Sequence, residues 1–99
     1  MIGDKMIGWL AWAKAGHDKD KLYIIIEEKG EYVFLADGES KTQAKPKKKN
    51  KKHIQICKKQ IPSLAQLQEK LMLGQPVREE EIKRAIKLFG KSEMEEENV

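Results

Sequence analysis

Six lysines and one histidine fall within nine residues, Lys45-Pro46-Lys47-Lys48-Lys49-Asn50-Lys51-Lys52-His53, with no acid among them. Repulsion in such a run must be offset by an anionic partner. Phosphate suits it, because each lysine that neutralises a phosphate releases a condensed counterion. Lysine carries a point charge on a flexible stem, so the run favours grip on a nucleic-acid backbone over base reading. A solvated, solubilising segment and a nuclear localisation signal share the same pattern. The wider stretch Lys41 to Lys59 has nine lysines and no acid, a local charge of +9, while the rest of the chain carries −5. The footprint is therefore localised on a mildly acidic body.

Other chemistry is thin. His17 and Asp18 are neighbours in sequence, not a base and its orienter, and no serine or cysteine nucleophile signature accompanies them. Two histidines and Cys57 lie far apart, with no pair at ligand spacing, so no metal site is expected. No glycine-rich phosphate loop is present. The expectation is a protein with no catalytic residue, metal or cofactor. Cys57 cannot form an internal disulfide and reads as a small apolar strand residue, which suits a reducing cytoplasm. Trp9 and Trp12 fall on opposite faces of a regular strand, so at most one is core. Tyr23, Tyr32 and Phe34 read as core.

The 99 residues make one domain with a modest core. No apolar run approaches the roughly 18 residues of a membrane span. The Ala13-Lys14-Ala15 triplet mimics a signal-peptidase site, but Asp4 cancels Lys5 and the apolar stretch before it is short, so no signal peptide is expected.

Alternation and turn chemistry predict five short strands. Residues 7–15 and 21–28 flank the Gly16-His17-Asp18 turn, and 32–36 follows Lys29-Gly30-Glu31. Asp37-Gly38 reads as a hairpin turn into a polar strand over 39–43, and Ile54, Gln55 and Ile56 close the set. Residues 45–53 read as a loop, through self-repulsion and Pro46. So few strands hide their edges best by curling into a barrel. After Pro62 the period turns helical. Ser63 to Gln66 reads as a capping box, Leu64, Leu67 and Leu71 share a face, and Gly74 suits a left-handed stop. A second helix is expected from near Arg78, with Glu79, Glu80 and Glu81 at its positive end and Val77 stapling Ile82. Its stripe is Ile82, Ala85, Ile86 and Phe89, and Gly90 is expected to end it. The expected layout is a barrel over 1–60 with a basic loop at 45–53, a helical pair over 61–90 and a disordered acidic tail over 91–99.

Gly8, Leu10, Ala15-Gly16, Asp18 and the apolar run from Tyr23 together resemble the KOW motif, the strand–turn–strand signature of RNA-binding proteins with a small SH3-like barrel. Further along, Ala36-Asp37-Gly38, the Pro-Lys-rich stretch ending at His53, Leu73-Gly74 and Glu81-Ile82-Lys83 are similar, in order and spacing, to small bacterial KOW proteins. Those are relatives of archaeal and eukaryotic large-subunit ribosomal proteins. The likeness spans about residues 6 to 89. Two positions depart from it. His17 stands where the family usually has Arg, and Asp20 where it often has Gly, which weakens the phosphate contact expected of the turn.

The resemblance implies a five-stranded SH3-like barrel and an RNA-binding protein of the translation apparatus, cytoplasmic and ribosome-associated. Its partners would be ribosomal RNA and neighbouring ribosomal proteins. The expected RNA-binding set is Lys45, Lys47, Lys48, Lys49, Lys51, Lys52 and His53, with Lys14, His17, Lys19 and Trp9 on the adjoining rim. Leu10 at the family's buried position turns Trp12 inward and Trp9 outward, as a lid against a helix or as a platform for an unpaired base. His17 is a phosphate contact when protonated or a plain turn residue. The alternative function is an adaptor that binds a protein on the ribosome or RNA polymerase. An exposed stripe on the second helix would favour it.

Overall fold

The computed structural model describes residues 6–16, 19–59 and 61–97, the last seven of these as backbone only. Five strands, β1 (Leu10–Ala13), β2 (Leu22–Lys29), β3 (Tyr32–Ala36), β4 (Lys47–Asn50) and β5 (Ile54–Cys57), precede helices α1 (Pro62–Met72) and α2 (Glu79–Glu97). All ladders are antiparallel, in the order β4-β3-β2-β1-β5. The sheet is open: among the described residues β4 and β5 stand at its edges without a ladder between them.

Alternation gives each face its own core. Leu10, Ile24 and Ala36 meet Leu64 and Leu67 of α1 and Ile82, Ala85 and Phe89 of α2, and all eight are buried. The opposite face holds Ala11, Ala13, Tyr23, Ile25, Val33 and Leu35, equally buried, with no helix residue in the cluster. A flat sheet would leave that face wet, so this one must curve over itself. The connection between its edges demands the same. Only the 3-10 turn Lys51–His53 separates β4 from β5. Four inter-strand steps in a flat sheet span about 19 Å, whereas the chain from Asn50 to Ile54 reaches at most about 14 Å. A register shift between Ile25 and Glu27 on β2 supplies part of the bend.

Four expectations from the sequence are corrected. The lysine run is not a loop: residues 47–50 form β4 on the edge of β3. Edge strands tolerate lysine well, and alternation sends adjacent ammonium groups to opposite faces, which relieves the repulsion. Residues 39–43 form no strand. Asp37 Oδ1 accepts from the backbone N–H groups of Glu39 and Lys41, both at 2.8 Å, and Oδ2 accepts from Ser40 Oγ at 2.8 Å. This closed turn sends the chain off the sheet toward α2, where Gln43 Nε2 donates to Val77 O at 2.7 Å and Glu79 Oε2 at 2.9 Å. Ser63 does not cap α1. Pro62 starts that helix, with Ile61 at the cap position making no side-chain bond, because proline's missing N–H costs nothing in a first turn. Finally, α2 runs through Gly90 to Glu97 in place of a disordered tail. One helical glycine costs only about 1 kcal/mol, which the helix-forming Lys, Met and Glu around it offset.

The stop signal at the end of α1 and the acidic start of α2 hold. Gly74 adopts φ +73, and Gln75 N–H donates to Lys70 O and Gly74 N–H to Leu71 O, a complete Schellman stop. At the start of α2, Arg78 N–H donates to Glu81 Oε2 at 3.0 Å. That bond, first, and the Lys70 ammonium hold the Glu81 carboxyl below its usual range. Among the described residues no helix is long and apolar enough to cross a membrane.

Candidate nucleic-acid interface

Curvature brings the two basic ends of the sheet to one rim. Lys49 Nζ donates to Ala15 O at 2.8 Å, tying β4 to the turn after β1. Lys14 N–H donates to His53 O at 2.8 Å, tying the same turn to the 3-10 segment. Residues distant in sequence, Lys14, Lys49 and His53, thus share one edge of the molecule with Lys19, which is exposed in the turn.

The lysines of the run differ in station. Lys47 and Lys49 pair with Leu35 and Val33, so they flank the curved inner face and are half-buried. Lys51 reaches Glu28, Nζ to Oε2 at 2.5 Å, and that carboxylate's Oε1 also accepts from Met6 N–H at 3.0 Å. Lys51 and Lys49 are thus partly committed to holding the sheet's shape. Lys45, Lys48 and Lys52 are exposed, as is His53. The Asn50 carboxamide accepts from Lys52 N–H at 2.8 Å and sets the 3-10 turn. Among the described residues, Glu28 and Asp20 pair with lysines of this rim. The latter stands 3.8 Å from Lys14, an exposed pair of little energetic weight.

Trp12 packs against the helix-side core, as expected, and Trp9 is half-buried. His17 lies outside the described residues. The reading of Tyr32 as core is overturned: the residue is 41% exposed and Lys48 Nζ lies over its ring, 4.4 Å from the centroid. Tyr23 is buried and Phe34 half-buried. Only the register, Phe34 opposite Lys48 and Tyr32 opposite Asn50, shows that an aromatic pair lies beside the basic strand. Reading residues 45–53 as a loop hid it.

The arrangement offers exposed cations along one edge strand and its continuation. It can hold a polyanion by its phosphates, and the scattered directions of the lysines give no fixed base-reading fork. Among the described residues no His, Cys, Asp or Glu cluster could hold a metal ion. No family model matches the chain, and no curated protein matches it.

Proposed function

We propose that this protein binds RNA of the translation apparatus, with ribosomal RNA as the partner, through β4, the 3-10 turn and the turn after β1. The observation that carries the reading is the convergence of these segments, fixed by the Lys49–Ala15 and Lys14–His53 hydrogen bonds. Lysines of β4, the 3-10 turn and the turn after β1 meet at one rim, which a merely solvated segment would not require.

Two further observations support the KOW relationship and its SH3-like barrel. The sheet is curved enough to bury Ala11, Ala13, Tyr23, Ile25, Val33 and Leu35 on its helix-free face, and a three-residue link bridges its edges. Asp20 takes φ +70, a left-handed conformation natural to glycine, at the position where the family often carries Gly.

The adaptor reading lacks its distinguishing feature. Ile82, Ala85 and Phe89 are buried against the sheet and Ile86, half-buried, packs beside them, so the stripe of α2 serves the core. Ultraviolet crosslinking in the native cells, followed by sequencing of bound RNA, tests the proposal. Enrichment of ribosomal RNA at defined positions supports it; recovery no greater than from an uncrosslinked control overturns it.

A further inference from the structure

Tyr32 opens β3 with its ring turned away from the curved inner face, since the next residue, Val33, is buried there. The same alternation puts Phe34 beside it. On β4 the neighbours are Asn50, opposite Tyr32, and Lys48, opposite Phe34. On β2 they are Lys29 and Glu27, and Glu31 adjoins Tyr32 in the turn. Neither Tyr32 nor Phe34 belongs to the helix-side core, and Tyr32 is the one aromatic among the exposed large apolar side chains described. An exposed tyrosine under a lysine ammonium, on the flank of a nine-lysine stretch, is poorly explained by packing.

We infer that Tyr32 is a stacking platform for an unpaired RNA base, with Lys48 as its phosphate partner. The inference rests on the reading of β4 as the RNA-binding edge. Base–aromatic stacking is stronger than an exposed cation–π contact, so an incoming base displaces the Lys48 ammonium from the ring. The displaced ammonium then has the strand's own phosphate within reach of its flexible stem. A duplex keeps its base faces inside the stack and cannot use the platform. The site therefore takes single-stranded segments, such as loops and bulges of a folded RNA, while the rest of the basic rim grips any phosphate backbone.

The test compares affinities of the full chain for a single-stranded RNA and for a duplex of equal length. The single strand carries 2-aminopurine, whose fluorescence falls on stacking. Tyr32→Ala is expected to weaken single-strand binding about 5- to 150-fold. It should leave duplex affinity and the single-strand salt slope unchanged and abolish the quenching. Tyr32→Phe should bind and quench like the parent. Tyr32→Leu, which keeps apolar bulk on the strand, should behave like Tyr32→Ala. Unchanged single-strand affinity in Tyr32→Ala, equal losses on both RNAs, or quenching retained in Tyr32→Leu would overturn the platform. The triple variant Lys45→Gln, Lys48→Gln, Lys52→Gln separates the two readings. If it loses duplex affinity while Tyr32→Ala keeps single-strand affinity, the platform alone fails. If it keeps duplex affinity, the basic edge on which the platform depends fails too.

Discussion

The ammonium of Lys49 on the edge strand and the carbonyl of Ala15 in the turn after β1 are 2.8 Å apart, and this bond closes one end of the curved sheet. Together with the Lys51–Glu28 bridge it divides the basic run into residues that shape the rim and residues that face outward. Lys49→Met and Lys51→Met should each lower stability by about 1–2 kcal/mol, since each removes a hydrogen bond to a partly buried acceptor. Lys48→Gln and Lys52→Gln should stay within about 0.5 kcal/mol of the parent. Urea unfolding of the four variants checks this division, and equal stabilities across the set would contradict it.

Gly38 and Gly74 both adopt positive φ, but only Gly38 is enclosed. A Cβ there would sit 2.3 Å from Glu79 O and 2.8 Å from Lys83 N, backbone atoms of α2, while at Gly74 nothing lies within 4 Å. Gly74→Ala should cost about 1–2 kcal/mol from left-handed strain alone. Gly38→Ala should cost clearly more, because the loop must lift off α2. Thermal unfolding that ranks the two equally would show the loop is not seated there.

Burial raises the pKa of Asp37, but hydrogen bonds from Lys41, Glu39 and Ser40 outweigh it and hold the carboxyl below its usual value. The folded state thus prefers the charged form. Its stabilisation is whole above the ordinary carboxylate range, near pH 4, and fades as pH falls through the lower folded value. Asp37→Ala should therefore destabilise at pH 7 by about 1 kcal/mol, with the gap to the parent narrowing below pH 4. A gap that widens on acidification would have the wrong sign.

Phe89→Ala should cost about 3–5 kcal/mol, because the side chain is fully buried between α2 and the sheet. Loss of α2 without loss of sheet stability, read by amide exchange, would instead mark the helices as a separate appendage.

Much of this fold is written in local chemistry. β3 spans the residues that alternation marks, and β5 adds only Cys57 to them. The Schellman stop at Gly74 and the Arg78–Glu81 bond follow from residue types at fixed offsets. What local chemistry cannot express is partnership. Lys47–Asn50 is a strand only because β3 offers an unpaired edge, and nothing in four polar residues announces that edge. Residues 39–43 have strand-like polarity, yet Asp37 finds three donors in its own turn and Gln43 finds α2. The candidate site divides the same way. Its cations are plain in composition, whereas the convergence of Lys14, Lys49 and His53 and the exposure of Tyr32 come from sheet curvature and register.

The central claim is that the outward lysines of this edge bind RNA phosphates, and the salt dependence of binding tests it most directly. The logarithm of affinity for a structured RNA falls linearly with the logarithm of salt concentration, by up to about 0.7–0.9 per phosphate contact. The folded variant Lys45→Gln, Lys48→Gln, Lys52→Gln should flatten that slope by about 2–3 units if all three contacts form. Its affinity should fall to a similar degree on unrelated RNA sequences, because these contacts position and do not read. A folded triple variant that keeps both the parent's affinity and its salt slope would contradict the account.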